Sequence, residues 1–319
     1  MDVKGLLFAL KVDNVAKDWN GKRLFEHASL QVSMGERVAL IGRNGVGKTS
    51  FLDGLIGRTT FDEGVITRGV PLNEWGWVEQ QIHVDQDMTL FDFVHSAHQK
   101  LSQLKAQMAH MQQRLEMGVN DQQVVDEYLK QMDTYADMGG YEYERSVEVA
   151  LKRLGLNASL FSVPYAQLSG GQKTRAQFAK LSILQPQFLL LDEPTNHLDA
   201  EMLQWLESWL ISYPGSILFV SHDRHFIDAV ANTTYELTPA GTKAYKGGYT
   251  AFRAAKDMEL RTQQSLYHKQ QQERKALLEA IQRYKQWYER AHHAASERDP
   301  VAKKKHKNMP RVLWQRNAH

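Results

Sequence analysis

The sequence predicts an α/β protein whose main sheet is largely parallel. Three short segments, residues 38–41, 188–191 and 217–220, are continuously apolar, as is typical of strands buried on both faces of a sheet. Between the last two, the apolar residues of segment 200–211 recur at helical spacing. A strand, a helix and a second strand within about 30 residues form a βαβ unit, which makes the two strands parallel neighbours in one sheet.

The amino-terminal part alternates short apolar runs with turn signals over residues 4–41. Strands are predicted at residues 6–12 and 30–32, with a turn at Asn20 and Gly21 between them. The apolar run at 38–41 leads into a glycine-rich turn and a helix over residues 49–56. This part is therefore expected to be strands that end in a strand–turn–helix unit.

Residues 89–138 differ in kind, because their apolar side chains line one helical face. The members of this stripe are Leu101, Leu104, Met108, Met111 and Leu115, then Val124, Val125, Tyr128, Met132 and Tyr135. Gly118, Asn120 and Asp121 separate the two halves. We expect an inserted helical arm, an antiparallel hairpin with leucine and methionine in its seam.

Residues 251–290 contain neither proline nor glycine and consist mostly of strong helix formers. A helix of this length would reach about 60 Å, so much of it should project from the domain. Its coiled-coil-like stripe, weak in the first half, comprises Leu260, Tyr267, Leu277, Ile281, Tyr284 and Tyr288. A break is predicted at 296–300. We divide the chain into a domain over residues 1–250 and a basic helical linker over residues 251–319.

Charge is distributed unevenly along the chain. The whole sequence has 39 basic and 37 acidic residues, a net charge of +2. Residues 251–319 hold 16 Lys and Arg against 7 Asp and Glu, or +9, which leaves 23 against 30, or −7, for the remainder. A basic tail indicates an anionic partner, nucleic acid above all, although a solvated charged helix has the same composition.

Composition also excludes several classes of protein. The chain has no cysteine, so neither disulfides nor thiolate metal sites are available, as is common in a reducing cytosol. No stretch approaches the roughly 18 uninterrupted apolar residues of a membrane-spanning helix, and the apolar run at 6–10 lacks the features of a signal peptide. We expect a cytoplasmic protein without membrane insertion.

Residues 42–49 have the sequence GRNGVGKT, which fits G-x-x-x-x-G-K-[ST] between a buried strand and a helix. Backbone N–H groups of such a loop surround phosphate oxygens, and the positive end of the helix reinforces them. Lys48 should contact the β and γ phosphates, and the Thr49 hydroxyl should bind Mg²⁺. A chance match is a weak alternative in this context. The predicted ATP ligands here are Gly42, Asn44, Gly45, Gly47, Lys48, Thr49 and Ser50.

The apolar run 188–191 ends in two acids, Asp192 and Glu193. Solvated loop acids are the alternative, which is weak beside the phosphate loop. Asp192 should hold Mg²⁺, and Glu193 should polarise the attacking water as general base. Adjacent carboxylates can divide these tasks because successive residues at a strand end point in different directions.

Residues 168–172, LSGGQ, open a further helix with a hydroxyl and two glycines, a second anion site. The phosphate loop, this element and the acidic pair, in this order, resemble the ATP-binding-cassette (ABC) family. The resemblance implies that the protein binds ATP and Mg²⁺ and hydrolyses ATP. It also implies that Ser169, Gly170, Gly171 and Gln172 bind ATP.

Smaller matches follow from the same resemblance. Gln80, or alternatively Gln81, is similar to the glutamine that senses Mg²⁺ and the attacking water. His222 resembles the switch histidine at the γ-phosphate, with a surface histidine as the alternative. Trp19 stands where the family has an aromatic that stacks on adenine, and a core tryptophan is the rival interpretation. Asp199 is the acid of a segment similar to the loop that crosses to the opposite nucleotide site.

Three features resemble the ABC-F group, whose members act on the ribosome. They are the sequence PTNHLD at 194–199, the helical arm, and the long helix with its basic segment at 302–309. The resemblance covers residues 4–312 and implies rRNA and peptidyl-site tRNA as partners, with a role in translation or in antibiotic protection. The candidate RNA contacts are Arg298, Lys303, Lys304, Lys305 and Lys307.

ABC-F proteins carry two cassettes, whereas this sequence has one. We therefore expect a second cassette, from a missing carboxy-terminal half or from homodimerisation, and weak ATPase activity without it. The linker of ABC-F proteins is a helical hairpin, and we expect its second, returning helix to be cut short here. One alternative is the ATPase subunit of a transporter, which leaves the basic tail unexplained. Another is a non-catalytic nucleotide-binding fragment, against which the intact Glu193 argues.

Overall fold

The structure, a computed structural model, describes residues 8–78, 84, 85, 87–117, 122–196 and 198–298, with side chains to residue 290. The chain divides into two units between Ala254 and Ala255. Among the described helices, none combines the length and apolar character needed to cross a bilayer.

The strands of the described residues form two sheets. They are β1 (Phe8–Trp19), β2 (Lys22–Ser33), β3 (Arg37–Gly42), β4 (Glu63–Arg68), β5 (Trp75–Trp77), β6 (Phe188–Asp192), β7 (Ser216–Val220), β8 (Thr233–Thr238) and β9 (Gly241–Lys246). One sheet has the order β5-β6-β7-β3-β8-β9, and the other has the order β2-β1-β4.

The helices lie between and after these strands. They are α1 (Lys48–Ile56), α2 (Leu90–His95), α3 (Gln99–Glu116), α4 (Gln122–Asp137), α5 (Gly140–Arg153), α6 (Gly170–Leu184), α7 (Ala200–Ile211), α8 (Arg224–Val230) and α9 (Tyr249–Arg298).

The six-stranded sheet confirms the predicted α/β fold. Strands β5, β6, β7, β3 and β8 are parallel, and β9 closes the edge antiparallel to β8. The three predicted apolar runs lie in β3, β6 and β7, whose hydrophobic residues are almost entirely buried. Helix α7 connects β6 to β7, as the helical spacing predicted. The sheet therefore brings the ends of these strands to one edge.

The antiparallel sheet was not predicted from the sequence. Strands β1 and β2 are joined at Asn20 and Gly21, both with positive φ, which confirms the predicted turn. Strand β4 pairs with the other edge of β1. The hydrophobic core lies between the sheets and includes a cluster of Phe25, Phe51 and Phe61. Strand β2 is thereby packed against α1, the helix that follows the phosphate loop.

The inserted arm consists of α3 and α4, which pack together as predicted. A chain of polar contacts joins the base of the arm to its neighbours. The His95 Nε2 lies 3.0 Å from the hydroxyl of Tyr135, and this hydroxyl donates to Glu144 Oε1 at 3.0 Å. Lys105 Nζ lies 2.8 Å from the same carboxylate oxygen. Residues of α2, α3, α4 and α5 are therefore held by one network.

Helix α9 continues further than the sequence indicated. The break predicted at 296–300 is wrong for Ser296 to Arg298, which remain helical. Glu297 and Arg298 are good helix formers. A proline disfavours the helical conformation only at the residue directly before it, so Pro300 does not prevent Ser296 to Arg298 from being helical. From Leu260 to Arg290 every side chain is exposed, including the predicted stripe.

Candidate nucleotide site

The candidate site forms where three neighbouring strands end. Strands β6, β7 and β3 are adjacent and parallel, so their carboxyl ends lie at the same edge of the sheet. Strand β3 runs into the loop 43–47, where Gly47 caps α1 with a φ of 99°. A β-carbon at Gly47 would lie 3.1 Å from atoms of Leu24 and Phe25. The loop thus needs glycine for both its conformation and its close packing.

A cavity of about 400 Å³ lies at this edge. Its size suits a small-molecule ligand. It is lined by Trp19, Leu24, Asn44, Gly45, Gly47, Lys48, Thr49, Ser50, Asp192, Glu193, Val220 and His222. Trp19 is 56% exposed, which excludes the core interpretation of this residue and leaves its ring available to a ligand.

The side chain of Lys48 is held in place by the backbone of Gly42, the last residue of β3. Its Nζ donates to the carbonyl oxygen of Gly42 at 3.1 Å. Burial lowers the pKa of Lys48, although the charges of Glu193 and Asp192 oppose this shift. An anionic ligand would favour the charged lysine, since a nearby opposite charge stabilises it. Gly42, a predicted ATP ligand, does not line the cavity. Its carbonyl oxygen instead accepts the hydrogen bond from Lys48.

Thr49 and Asp192 form an oxygen pair at the floor of the site. The Thr49 hydroxyl donates to Asp192 Oδ2 at 2.9 Å. Burial raises the pKa of Asp192, and the hydrogen bond from Thr49 partly offsets the shift. Hydroxyl and carboxylate oxygens are the donors that Mg²⁺ prefers, and a cation here would favour the ionised carboxylate. The donor set therefore fits Mg²⁺.

Glu193 has an unusual backbone and a nearly enclosed carboxylate. Its φ is 49°, in the left-handed region that non-glycine residues rarely occupy. Its N–H donates to Val220 O at 2.9 Å, and Oε2 accepts from the N–H of His222 at 3.2 Å. Oε1 lies 3.3 Å from His222 Nε2, but the contact lacks hydrogen-bond geometry, so this buried oxygen has no hydrogen-bond partner among the described residues. The Glu193 carboxylate is thus held beside the cavity by the backbone of His222.

The segment 169–172 does not line the cavity of its own chain. The Ser169 hydroxyl accepts from the N–H of Gln172 at 3.3 Å, and Gln172 Oε1 accepts from the N–H of Ser169 at 2.9 Å. This reciprocal capping box begins α6. Gly170 and Gly171 form its first turn. Their predicted role at a second nucleotide stays a prediction.

Asp199 has two partners within the chain. Its side chain caps α7 by accepting from the N–H of Met202 at 2.9 Å. It also forms an ion pair with Arg175 of α6. The segment before α7 is therefore tied to the helix that follows Ser169.

Gln80 and Gln81, the predicted water- and Mg²⁺-sensing glutamines, lie outside the described residues. Leu24 and Val220 line the cavity but were not predicted. Val220 is the last residue of a strand that was predicted, so its position at the sheet edge could have been inferred.

A parallel sheet with a phosphate loop, a paired hydroxyl and carboxylate, and a neighbouring glutamate defines an ATP-binding domain of the P-loop class. A family model described as "ABC transporter" matches residues 25–196, and a second model of the same description matches residues 235–316. The chain belongs to the ABC family and, by its relatives, to the ABC-F group.

Three relatives illustrate this membership. "Putative ATP-binding protein YdiF" of Bacillus subtilis is 32% identical over 281 residues, which cover 87% of this chain and 43% of the relative. "Tylosin resistance ATP-binding protein TlrC" of Streptomyces fradiae is 32% identical over 261 residues, covering 81% and 47%. "ABC transporter F family member 5" of Arabidopsis thaliana is 26% identical over 273 residues, covering 84% and 40%. The chain thus spans less than half the length of these relatives.

A solved structure titled "Structure of ATP binding subunit of ABC transporter" has the same fold. Its TM-score is 0.57 at 20% identity, and the match covers 77% of this chain and 92% of that one. At this identity the likeness concerns the fold alone.

Proposed function

We propose that this chain is the ATP-hydrolysing part of an ABC-F protein that acts on the ribosome. The observation that carries the hydrolytic function is the position of Glu193, which lines the same cavity as Lys48 and Thr49. We assign residues 1–250 to the cassette, with its arm at about 89–138, and residues 251–319 to the basic linker.

The chemistry is divided among the residues that line the cavity. Lys48 and the N–H groups of the loop would bind the β and γ phosphates, while Trp19 at the rim would stack on the adenine. Thr49 and Asp192 would hold Mg²⁺, which supplies neutralising charge at the phosphates when bound. Glu193 would orient the attacking water and take its proton.

His222 would complete this group on the side of β7. Its N–H donates to one oxygen of the Glu193 carboxylate, and this carboxylate would take the proton of the attacking water. Its Nε2, close to that carboxylate, would then contact the γ-phosphate. Gln80 is assigned the sensing role by resemblance alone.

A second cassette would complete the site. The Ser169 loop does not face the cavity of its own chain, and the relatives are about twice as long as this chain. We propose that a loop of this kind from a second copy, or from the remainder of a longer protein, covers the bound ATP. Without that loop the charge that develops on the γ-phosphate is less stabilised.

This requirement can be measured directly. The rate of phosphate release per molecule should be low in dilute solution and rise with protein concentration, in parallel with dimer formation by light scattering. A substantial rate that does not change with concentration, from a species shown to be a monomer, would rule out the shared site.

Ribosome binding is supported by the ABC-F relatives, among them a tylosin resistance protein, and by the basic linker after residue 250. We propose that the protein works in the cytoplasm, that its partners are rRNA and peptidyl-site tRNA, and that it regulates translation or protects it from antibiotics. The candidate contacts Lys303, Lys304, Lys305 and Lys307 lie outside the described residues, as does the side chain of Arg298.

Cosedimentation tests this part of the proposal. The Glu193→Gln variant, loaded with ATP, should pellet with ribosomes more fully than the same variant without nucleotide. Equal recovery in both conditions, at the level of an unrelated protein, would contradict a ribosomal function.

A further inference from the structure

A groove that is remote from the nucleotide cavity lies on three helices of the first unit. It has a volume of about 860 Å³, roughly twice that of the nucleotide cavity. One wall is α5, the other is α7, and the end of α6 contributes to the floor. None of its lining residues belongs to the candidate nucleotide site.

One wall of the groove is aromatic. Trp205 and Trp209 lie one turn apart on α7, and their rings are stacked with centroids 5.4 Å apart and planes at 15°. Both rings are half-buried, and Phe178 of α6 packs against each of them from below. The pair is thus held by packing while part of its surface faces the groove.

The opposite wall is cationic. Arg145 and Arg153 are exposed on α5, and neither makes a hydrogen bond or ion pair with another described residue. They lie eight residues apart, about 12 Å along the helix axis, with Val149 between them. Each guanidinium can therefore contact a different anionic group.

The acids of α5 leave these arginines available. Glu144 contacts Lys105 at 2.8 Å, and Glu148 contacts Lys152 at 2.9 Å. Glu142 also lines the groove, so two arginines and one glutamate give the lining a net charge of +1. The occupant that complements this wall is anionic.

We propose that this tryptophan–arginine groove binds a short stretch of single-stranded RNA. Indole rings that line a groove can pack on a base, whatever its sequence, and two separated guanidinium groups suit two phosphates of the same strand. An acidic peptide would satisfy the arginines but has no flat partner for the indole wall. The source of the RNA rests on the proposed ribosomal function, since an unpaired rRNA segment is the RNA that such a protein meets.

The test uses the full chain and a fluorescein-labelled single-stranded RNA of about 12 nucleotides, within the usual size of a single-strand site. Binding is measured by anisotropy between about 50 and 200 mM salt. In the double variant Arg145→Gln/Arg153→Gln, the slope of log K against log salt should fall by about 1.4, which is about 0.7 for each phosphate that an arginine no longer neutralises. The basic tail is present in every sample and cancels from this comparison.

A matched control makes the same change of charge elsewhere. Arg114 and Lys246 are exposed and do not line the groove. Arg114→Gln/Lys246→Gln should therefore keep the slope of the parent. A groove variant with the parent slope, or a control variant whose slope falls equally, would overturn the proposal.

Photo-cross-linking locates the bound RNA. With 4-thiouridine in the probe, adducts should map to peptides that contain Trp205 or Trp209, and they should disappear in the arginine double variant. Adducts confined to other peptides would overturn the proposal, as would an acidic peptide that displaces the RNA and loses as much affinity in the double variant. The isolated RNA probe is measured without ribosomes, so a failure of ribosome cosedimentation would contradict the proposed function and leave the result for this groove unchanged.

Discussion

Mild acid should destabilise the first unit through His95, at the base of the helical arm. This side chain is 1% exposed, and its pKa is lowered from 6.5 to about 4, first by burial and then by the charge of Lys105. Glu144 and Asp92 oppose the shift without cancelling it. The folded protein therefore keeps His95 neutral at pH values where the unfolded chain protonates it.

The sign and size of the effect follow from these two pKa values. Between pH 6.5 and pH 4 the unfolded chain binds more protons than the folded one, so stability falls as the pH falls through this window. At pH 5 the free energy of unfolding is about 2 kcal/mol lower than it would be if His95 stayed neutral in the unfolded chain as well. At pH 7 this loss is only about 0.2 kcal/mol. For a unit of this size, such a loss corresponds to a fall in Tm of about 4 to 8 °C.

The assay compares urea unfolding of the parent and of His95→Gln at pH 7 and pH 5. The parent's advantage over the variant in free energy of unfolding should shrink by about 2 kcal/mol on acidification, because glutamine does not titrate. His110→Gln, at an exposed position on α3, should show no such change. If the parent and His95→Gln differ by the same amount at both pH values, burial does not hold His95 neutral.

Three further outcomes are expected at the site and in the tail. Glu193→Gln should keep ATP binding but release phosphate ~100-fold or more slowly, because an amide cannot take the proton from water; parent-like turnover would exclude Glu193 as the base. Thr49→Val should raise the Mg²⁺ concentration needed for nucleotide binding at least roughly tenfold, and an unchanged Mg²⁺ titration would exclude the hydroxyl as a ligand. Changing Lys303, Lys304 and Lys305 together to Gln should reduce the salt dependence of ribosome binding by roughly 0.7 to 0.9 log units for each phosphate no longer neutralised; an unaltered slope would indicate a solvated segment.

The parallel part of the fold was predictable because its sequence signals are local. Buried strands are continuously apolar, and α7 shows helical spacing between two of them. The antiparallel sheet was harder, since β4 pairs with β1 across more than forty intervening residues and its own side chains are mostly exposed. Nothing in the sequence of β4 specifies that distant partner.

The candidate site was predictable where a short segment carries its own motif. Lys48 and Thr49 belong to one such segment, and Asp192 and Glu193 belong to another. All four residues line the same cavity, as the motifs indicated. The polar network around His95 was not anticipated, because its members are isolated in sequence and meet only through packing of separate helices. A lone histidine at a helix end gives no sign of the neutral state that burial imposes.

The left-handed backbone of Glu193 bears on how this protein could evolve or be engineered. In that conformation a β-carbon costs roughly 1–2 kcal/mol, a penalty that glycine escapes. Selection for heat tolerance alone would therefore favour glycine at position 193, and the resulting lineage would gain stability while losing the carboxylate. Thermal stability and ATP hydrolysis therefore favour different residues at position 193. In a mutant library, glutamate would persist at this position only under selection for the reaction itself.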